Sequence, residues 1–238
     1  MSPELINKII SFHDSFPVEK YNWGFPKKLP DGLTLSGNNN YELNIDLKEK
    51  FKAFYLSSDI QRELQYWIIR DWGNINFHQN SSNNNKIDKF LNELENVRLT
   101  KSTFDVISSL SKVASFLYPE HYAIYDSRAI FSLNWLIFIT EENPIFFPQP
   151  KGRGKDVSQY DLDTIFSLSG KKYNYHSHKE AYFLYNRLLR KLSNKVYLTT
   201  NKPYIFEMLL FSHLPAYVVK NIKERVKLSV TFLYQTTP

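Results

Sequence analysis

The stretch from Phe104 to Ile137 most constrains how this chain can fold. Phe104, Ile107, Leu110, Val113, Ala114 and Leu117 recur at the three- and four-residue spacing of one helical face. Pro119 ends that helix, because its ring cannot continue the hydrogen-bond ladder. A second, very apolar run follows through Ile130, Phe131, Leu133, Leu136 and Ile137, with Asp126 or Ser127 placed to cap it. Two helices joined by so short a turn must pack antiparallel or at a steep angle. The chain is therefore expected to be mainly α, a helical bundle with an irregular N-terminal region over 17–40.

Further helices follow from the same periodicity. Ile60, Leu64, Trp67 and Ile68 lie on one face, with Ser57, Ser58 and Asp59 as cap candidates and Gly73 as the stop. The spacing predicts a continuous helix over 102–118 and others over 88–97, 204–213 and 215–227. Ser177 and Glu180 fit a capping box opening a helix with Ala181, Leu184, Leu188 and Leu192. The Asn-rich segment 74–86 reads as a linker or exposed loop, as does 141–160, and 228–237 alternates like a strand. A single domain over 1–238 is expected, with two helical lobes, 1–100 and 101–238, flanking a cleft as the finer division.

Composition narrows the function classes. Seven glycines in 238 residues are about 3%, against a usual share of about 7%, which disfavours Gly-rich phosphate loops and doubly wound nucleotide folds. The absence of cysteine excludes disulfides, iron–sulfur clusters, thiolate zinc and Cys nucleophiles. His176 and His178 stand without the further ligands a metal needs, so neither a metal nor a cofactor is expected. The start of the chain lacks the long apolar core of a signal peptide, and the most apolar run, 129–139, is interrupted by Ser132 and Asn134. A cytoplasmic monomer without a membrane span is expected. From residue 171 onward there are 12 Lys/Arg against 3 Asp/Glu, whereas 1–170 hold 18 against 21. That basic end suggests a polyanionic partner, DNA above all.

The chemistry is concentrated between Ser108 and Arg128. Lys112 interrupts an apolar helix face, and Asp126 opens the next helix. A lysine walled in by apolar side chains gives up its proton more readily than in water, and with a carboxylate close by to assist proton transfers it becomes a usable amine nucleophile. The architectural alternatives are an Asp126 that only caps and pairs with Arg128, and a Lys112 whose head reaches water. Tyr118, Tyr122, Tyr125 and Trp135 cluster around this segment as candidate walls for an extruded base. Trp67, Trp72, Tyr173 and Tyr175 are weaker stacking candidates. Glu207, alone among apolar neighbours, reads as a partner for a buried cation or as a helix-edge residue.

Lys112-Val113-Ala114 followed by Ala123-Ile124-Tyr125-Asp126 resembles the core of the helix–hairpin–helix base-excision DNA glycosylases, in particular the 8-oxoguanine glycosylase branch. The resemblance spans about 30 residues. It implies a helical glycosylase-like bundle in which Lys112 attacks the sugar C1′ and displaces a damaged or modified base. Asp126 would stabilise the cationic sugar, and a Schiff base on Lys112 would permit strand cleavage. The family's glycine-rich hairpin is replaced here by Ile107-Ser108-Ser109-Leu110. Phosphate contacts are therefore expected from Arg128, Lys151, Arg153 and Lys155, or from the basic C-terminal part. The implied setting is base repair or defence against phage DNA. The other classes the residues leave open are a non-catalytic nucleic-acid-binding or regulatory module and a metal-dependent nucleic-acid hydrolase.

Overall fold

The computed structural model describes residues 2–15, 20–21, 23–151, 157, 159–197 and 201–227. Among these, eleven α-helices carry the fold: α1 (Pro3–Ser15), α2 (Asn40–Leu56), α3 (Gln61–Trp67), α4 (Ser81–Glu95), α5 (Lys101–Phe104), α6 (Ile107–Leu117), α7 (Ser127–Thr140), α8 (Leu162–Leu168), α9 (Ala181–Val196), α10 (Pro203–Ser212) and α11 (Leu214–Arg225). Two-residue strands β1 (Ile145–Phe146) and β2 (Asn174–Tyr175) pair in parallel. The protein is thus mainly helical. No helix among the described residues is long and apolar enough to cross a membrane.

The two runs that anchored the sequence reading form the centre. α7 is buried along most of its length and packs against α10, α11 and α1. Asn134 exchanges two hydrogen bonds with the Phe147 backbone, at 2.8 and 2.9 Å, and the Trp135 indole donates to Asn221 at 2.9 Å, whereas the Ser132 hydroxyl is buried with no hydrogen-bond partner among the described residues. Buried polar groups persist in a core when they are paired in this way. α6 lies against α2 and against the π-helical turn Ile68–Trp72 that continues α3.

The connection from α6 to α7 is held by side chains from α9. Tyr182 and Tyr185 donate their hydroxyls to the carbonyls of Ala123 and Ile124, and Asn186 accepts from the Ala123 N–H at 2.7 Å. Tyr125 donates its N–H to Ser111 and its hydroxyl to the Pro148 carbonyl. Asp126 therefore starts α7 from a fixed position, and its carboxylate accepts from the Arg128 N–H at 2.8 Å as the N-cap.

Several elements depart from their expected form. The Asn-rich segment is not all loop: Asn80 caps α4 by accepting from the Asn83 N–H, and Ile87, Phe90 and Leu94 then bury one face. The helix expected over 102–118 is split into α5 and α6. Three-residue turns from Val106 to Thr103 and from Ser109 to Val106 break the ladder while keeping Phe104 and Ile107 in the core. Ser177 opens α9 through its backbone carbonyl rather than through a capping box, since Glu180 makes no capping hydrogen bond. The N-terminal region over 23–39 holds no helix or strand. The strand expected over 228–237 lies outside the described residues.

Candidate active site

A cleft of about 440 Å³ opens where α6, the start of α7, α10 and the turn after α3 converge. Its chemical groups are Lys112, Asp126, Arg128, Lys151 and Glu207, and its aromatic wall is Tyr21, Trp23, Trp72 and Phe211. Gly73 and the following residues 74–76 complete one side. Asn74 adopts φ +50°, a left-handed conformation Asn tolerates, which turns the chain so that Ile75 and Asn76 also border the cleft.

Lys112 is only 5% exposed, and its amine donates to the Ser108 carbonyl at 2.8 Å. Its stem runs across Gly73: a Cβ at that position would lie 2.7 Å from both Cδ and Cε of Lys112. Gly73 is needed for that close approach rather than only for ending a helix. Burial lowers the Lys112 pKa, with Arg128 adding to the effect, while Asp126 and Glu207 oppose it. The neutral amine is thereby more accessible than on a solvated lysine.

Asp126 and Arg128 form one unit, with Arg128 Nε 3.6 Å from Asp126 Oδ1. The Arg128 guanidinium also lies 3.6 Å from the centre of the Phe211 ring and 5.6 Å from that of Trp23. The cleft thus combines a buried amine, a carboxylate, a fixed cation and flat apolar faces.

Two groups sit behind or beneath it. Lys48 on α2 is fully buried; its amine donates to the Ser115 hydroxyl and carbonyl and lies 4.0 Å from the Phe116 ring centre. Burial brings its pKa down to about 7, against the pull of Glu207. Glu207 on α10 is 2% exposed, and burial pushes its carboxyl up to about 7, opposed first by Lys48. Of the two readings of Glu207, the helix-edge one is excluded by its burial, and Lys48, Lys112 and Arg128 influence it without a contact ion pair among the described residues. Lys48 itself was not foreseen, because the Lys-rich pattern of α2 reads as a solvated face.

The structure brings together Lys112, Asp126, Arg128 and Lys151, all bordering the cleft. It does not bring the four expected base-pocket aromatics there. Tyr125 and Trp135 are closed in the core, their polar atoms committed to Pro148 and Asn221. Tyr118 and Tyr122 pack edge to face at 6.3 Å, with Lys52 over the Tyr118 ring. Their nearness to Asp126 in sequence does not become nearness in space, because α9 draws the intervening backbone away. Trp72 borders the cleft, whereas Trp67 borders a separate groove. Tyr173 packs on Phe146 and Phe166, and Tyr175 bonds to Asp163. Arg153 and Lys155 lie outside the described residues. No grouping of three His, Cys, Asp or Glu that could hold a metal occurs among the described residues.

No family model, no curated protein and no solved structure matches this chain.

Proposed function

We propose that this protein is a DNA glycosylase with associated lyase activity, acting on an extruded damaged or modified base in repair or in defence against phage DNA. The observation that carries the reading is the convergence of a buried lysine with a lowered pKa and an N-cap aspartate on one aromatic-walled cleft. Its volume is in the range that encloses small ligands. The neutral Lys112 amine attacks C1′ of the extruded nucleotide. The C1′–N bond breaks, and its electron pair leaves with the base, which takes up a proton. Asp126 stabilises the positive charge that develops on the sugar. Loss of a proton from the nitrogen and opening of the sugar ring give a Schiff base, from which β-elimination cuts the strand. Arg128 and Lys151 meet the flanking phosphates. The protein acts as a cytoplasmic monomer in this reading.

A non-catalytic DNA-binding module is the second reading. It is favoured by the hydrogen bond that ties the Lys112 amine to its own helix at Ser108. The two separate in one experiment. Purified protein is incubated in EDTA with DNA carrying normal, oxidised, deaminated or hypermodified bases, then treated with alkali and run on a gel. Breaks on one class of base that vanish in Lys112→Ala and Asp126→Asn support the glycosylase. DNA binding without breaks on any substrate supports the module.

A further inference from the structure

Two fully buried polar side chains lie one turn apart on α2. Asn44 and Lys48 have no exposed surface and share the inward side of the helix with Leu47 and Phe51. Neither borders the cleft, but both meet Trp72, which does. The Trp72 indole donates to the Asn44 side-chain oxygen at 2.7 Å, and the Lys48 amine lies 5.9 Å from the Trp72 ring centre. Asn44 also reaches Trp23. Its amide nitrogen donates to the Trp23 carbonyl at 3.4 Å and to the Asn40 carbonyl of its own helix at 2.7 Å. The Trp23 indole in turn donates to the Trp72 carbonyl at 2.9 Å. Asn44, Trp23 and Trp72 thus close a cycle of three hydrogen bonds behind the aromatic wall.

The cycle needs a side chain that accepts on one side and donates on the other. An indole N–H only donates and a backbone carbonyl only accepts, so an apolar residue at position 44 would leave both unmet. The local backbone does not supply this restraint. Residues 23–39 hold no helix or strand, so Trp23 keeps its place only through tertiary contacts. Trp72 ends the π-helical turn Ile68–Trp72, closed by the Gly73 N–H on the Ile68 carbonyl at 2.9 Å. Such turns are rare and recur at functional sites. From this pair the contacts lead into the cleft: Trp23 meets Phe211 edge to face at 5.4 Å, and the Arg128 guanidinium lies 5.6 Å from the Trp23 ring centre.

We infer that Asn44 is a positioning residue for the cleft: from behind the wall it fixes the Trp23 and Trp72 rings, and with them the surface against which the reacting group is seated. The inference rests on the glycosylase reading for what is seated there. Asn44 touches no bound molecule and acts only through the two tryptophans. That is enough to govern the chemistry at Lys112, because a misplacement of about 1 Å at a reacting centre can cost about a hundredfold in rate. Lys48 backs the same ring one turn further on, itself held by the Ser115 hydroxyl and lying 4.0 Å from the Phe116 ring centre. Phe116 meets Trp72 edge to face at 4.7 Å, so the hidden side of Trp72 is closed by α2 and α6 together.

The test reads the tryptophans first and the reaction second, in the full chain at a temperature where the variants are folded. Asn44→Leu keeps the bulk of the side chain and removes its hydrogen bonds. Its tryptophan emission should shift to longer wavelength, and quenching by acrylamide should rise, as Trp23 and Trp72 loosen toward water. In a Trp23→Phe background the rise should shrink, because Trp67 and Trp135 lie outside the cycle, bonded to the Lys28 carbonyl and to Asn221. On DNA that the wild type cuts, single-turnover excision by Asn44→Leu should slow by about tenfold. Binding to undamaged duplex, which rests on phosphate contacts, should stay at the wild-type level, a split that loss of folded protein would not give. Asn44→Asp still accepts from the Trp72 indole but turns an oxygen toward the Trp23 carbonyl. It should raise quenching less, and it takes the place of Asn44→Leu if the leucine variant does not fold. Wild-type quenching in the variant used overturns the inference. So does raised quenching with unchanged excision, and so does duplex binding that falls as far as excision. A wild type that cuts no DNA fails the glycosylase reading separately, and the positioning role then stands or falls on the quenching alone.

Discussion

Two aromatic clusters lie within one core, and they differ in what their rings border. In the first, Tyr122 stacks on Tyr182 at 5.7 Å and Tyr125 meets Tyr185 edge to face at 5.2 Å. The hydroxyls of Tyr125, Tyr182 and Tyr185 donate to the carbonyls of Pro148, Ala123 and Ile124. In the second, Tyr21, Trp23, Trp72 and Phe211 line the cleft beside Arg128, Lys112 and Glu207. The first uses tyrosines as clamps on the backbone that delivers Asp126. The second is also held, with the Trp23 indole donating to the Trp72 carbonyl, the Trp72 indole to Asn44 and Arg128 over the Phe211 ring, but it borders the cleft and its charged groups. Satisfied polar atoms therefore do not tell the two apart; an aromatic residue belongs to the site when charged groups and free volume lie against it.

That contrast can be broken by mutation. Tyr185→Ala should cost about 3–5 kcal/mol, the range for truncating a large buried aromatic, read by denaturant unfolding. Trp23→Ala, on the cleft wall and only partly buried, should cost less stability and slow base excision from DNA instead. If the two variants lose stability equally, the distinction between the clusters fails. Gly73→Ala forces a Cβ to within 2.7 Å of the Lys112 stem and 2.5 Å of the Ile69 carbonyl. It should destabilise by about 1–3 kcal/mol, as overpacking does, and should displace the Lys112 amine, seen as slower strand cleavage at full folding. Tyr125→Phe removes one hydroxyl hydrogen bond and leaves the Pro148 carbonyl unmet, for about 1 kcal/mol, with cleavage unaffected because Tyr125 does not border the cleft.

The pH dependence is the most specific of these tests. Between the usual Glu value of 4.5 and about 7, folded Glu207 holds a proton that the unfolded chain has released, so its contribution to stability falls as pH rises. Between about 7 and the usual Lys value of 10.5, folded Lys48 has lost a proton that the unfolded chain keeps, so its contribution rises with pH. Melting temperatures measured across this range should flatten on the acid limb in Glu207→Gln and keep the alkaline rise. A variant with an unchanged acid limb would mean that Glu207 does not titrate there.

Much of the scaffold was legible because its helices carry a clear apolar period. α7, α9, α10 and α11 lie close to their expected bounds, and Asp126 was recognisable as a cap from its place before an apolar run. The Asn-rich start of α4 was not, since its helix is decided by one cap and three buried residues rather than by propensity. The site was half legible. Lys112 and Asp126 stood out as polar groups in apolar surroundings. Trp23 and Tyr21 did not, because they reach the cleft from an irregular segment whose position only tertiary packing determines. Lys48 was hidden for a related reason: it lies among Glu49, Lys50 and Lys52, which are not buried, and its sequence neighbourhood looks like water-facing helix.

The claim on which the rest depends is that the Lys112 amine forms a covalent bond to the sugar. Borohydride trapping tests it directly: protein and base-modified DNA are mixed with the reductant, and a covalent complex is sought on a denaturing gel. The account predicts a complex with the wild type on DNA that it cleaves, none with Lys112→Ala and little with Asp126→Asn, while both variants keep the wild-type melting profile. A complex that persists in Lys112→Ala, or cleavage by the wild type without any trapped complex, would contradict it.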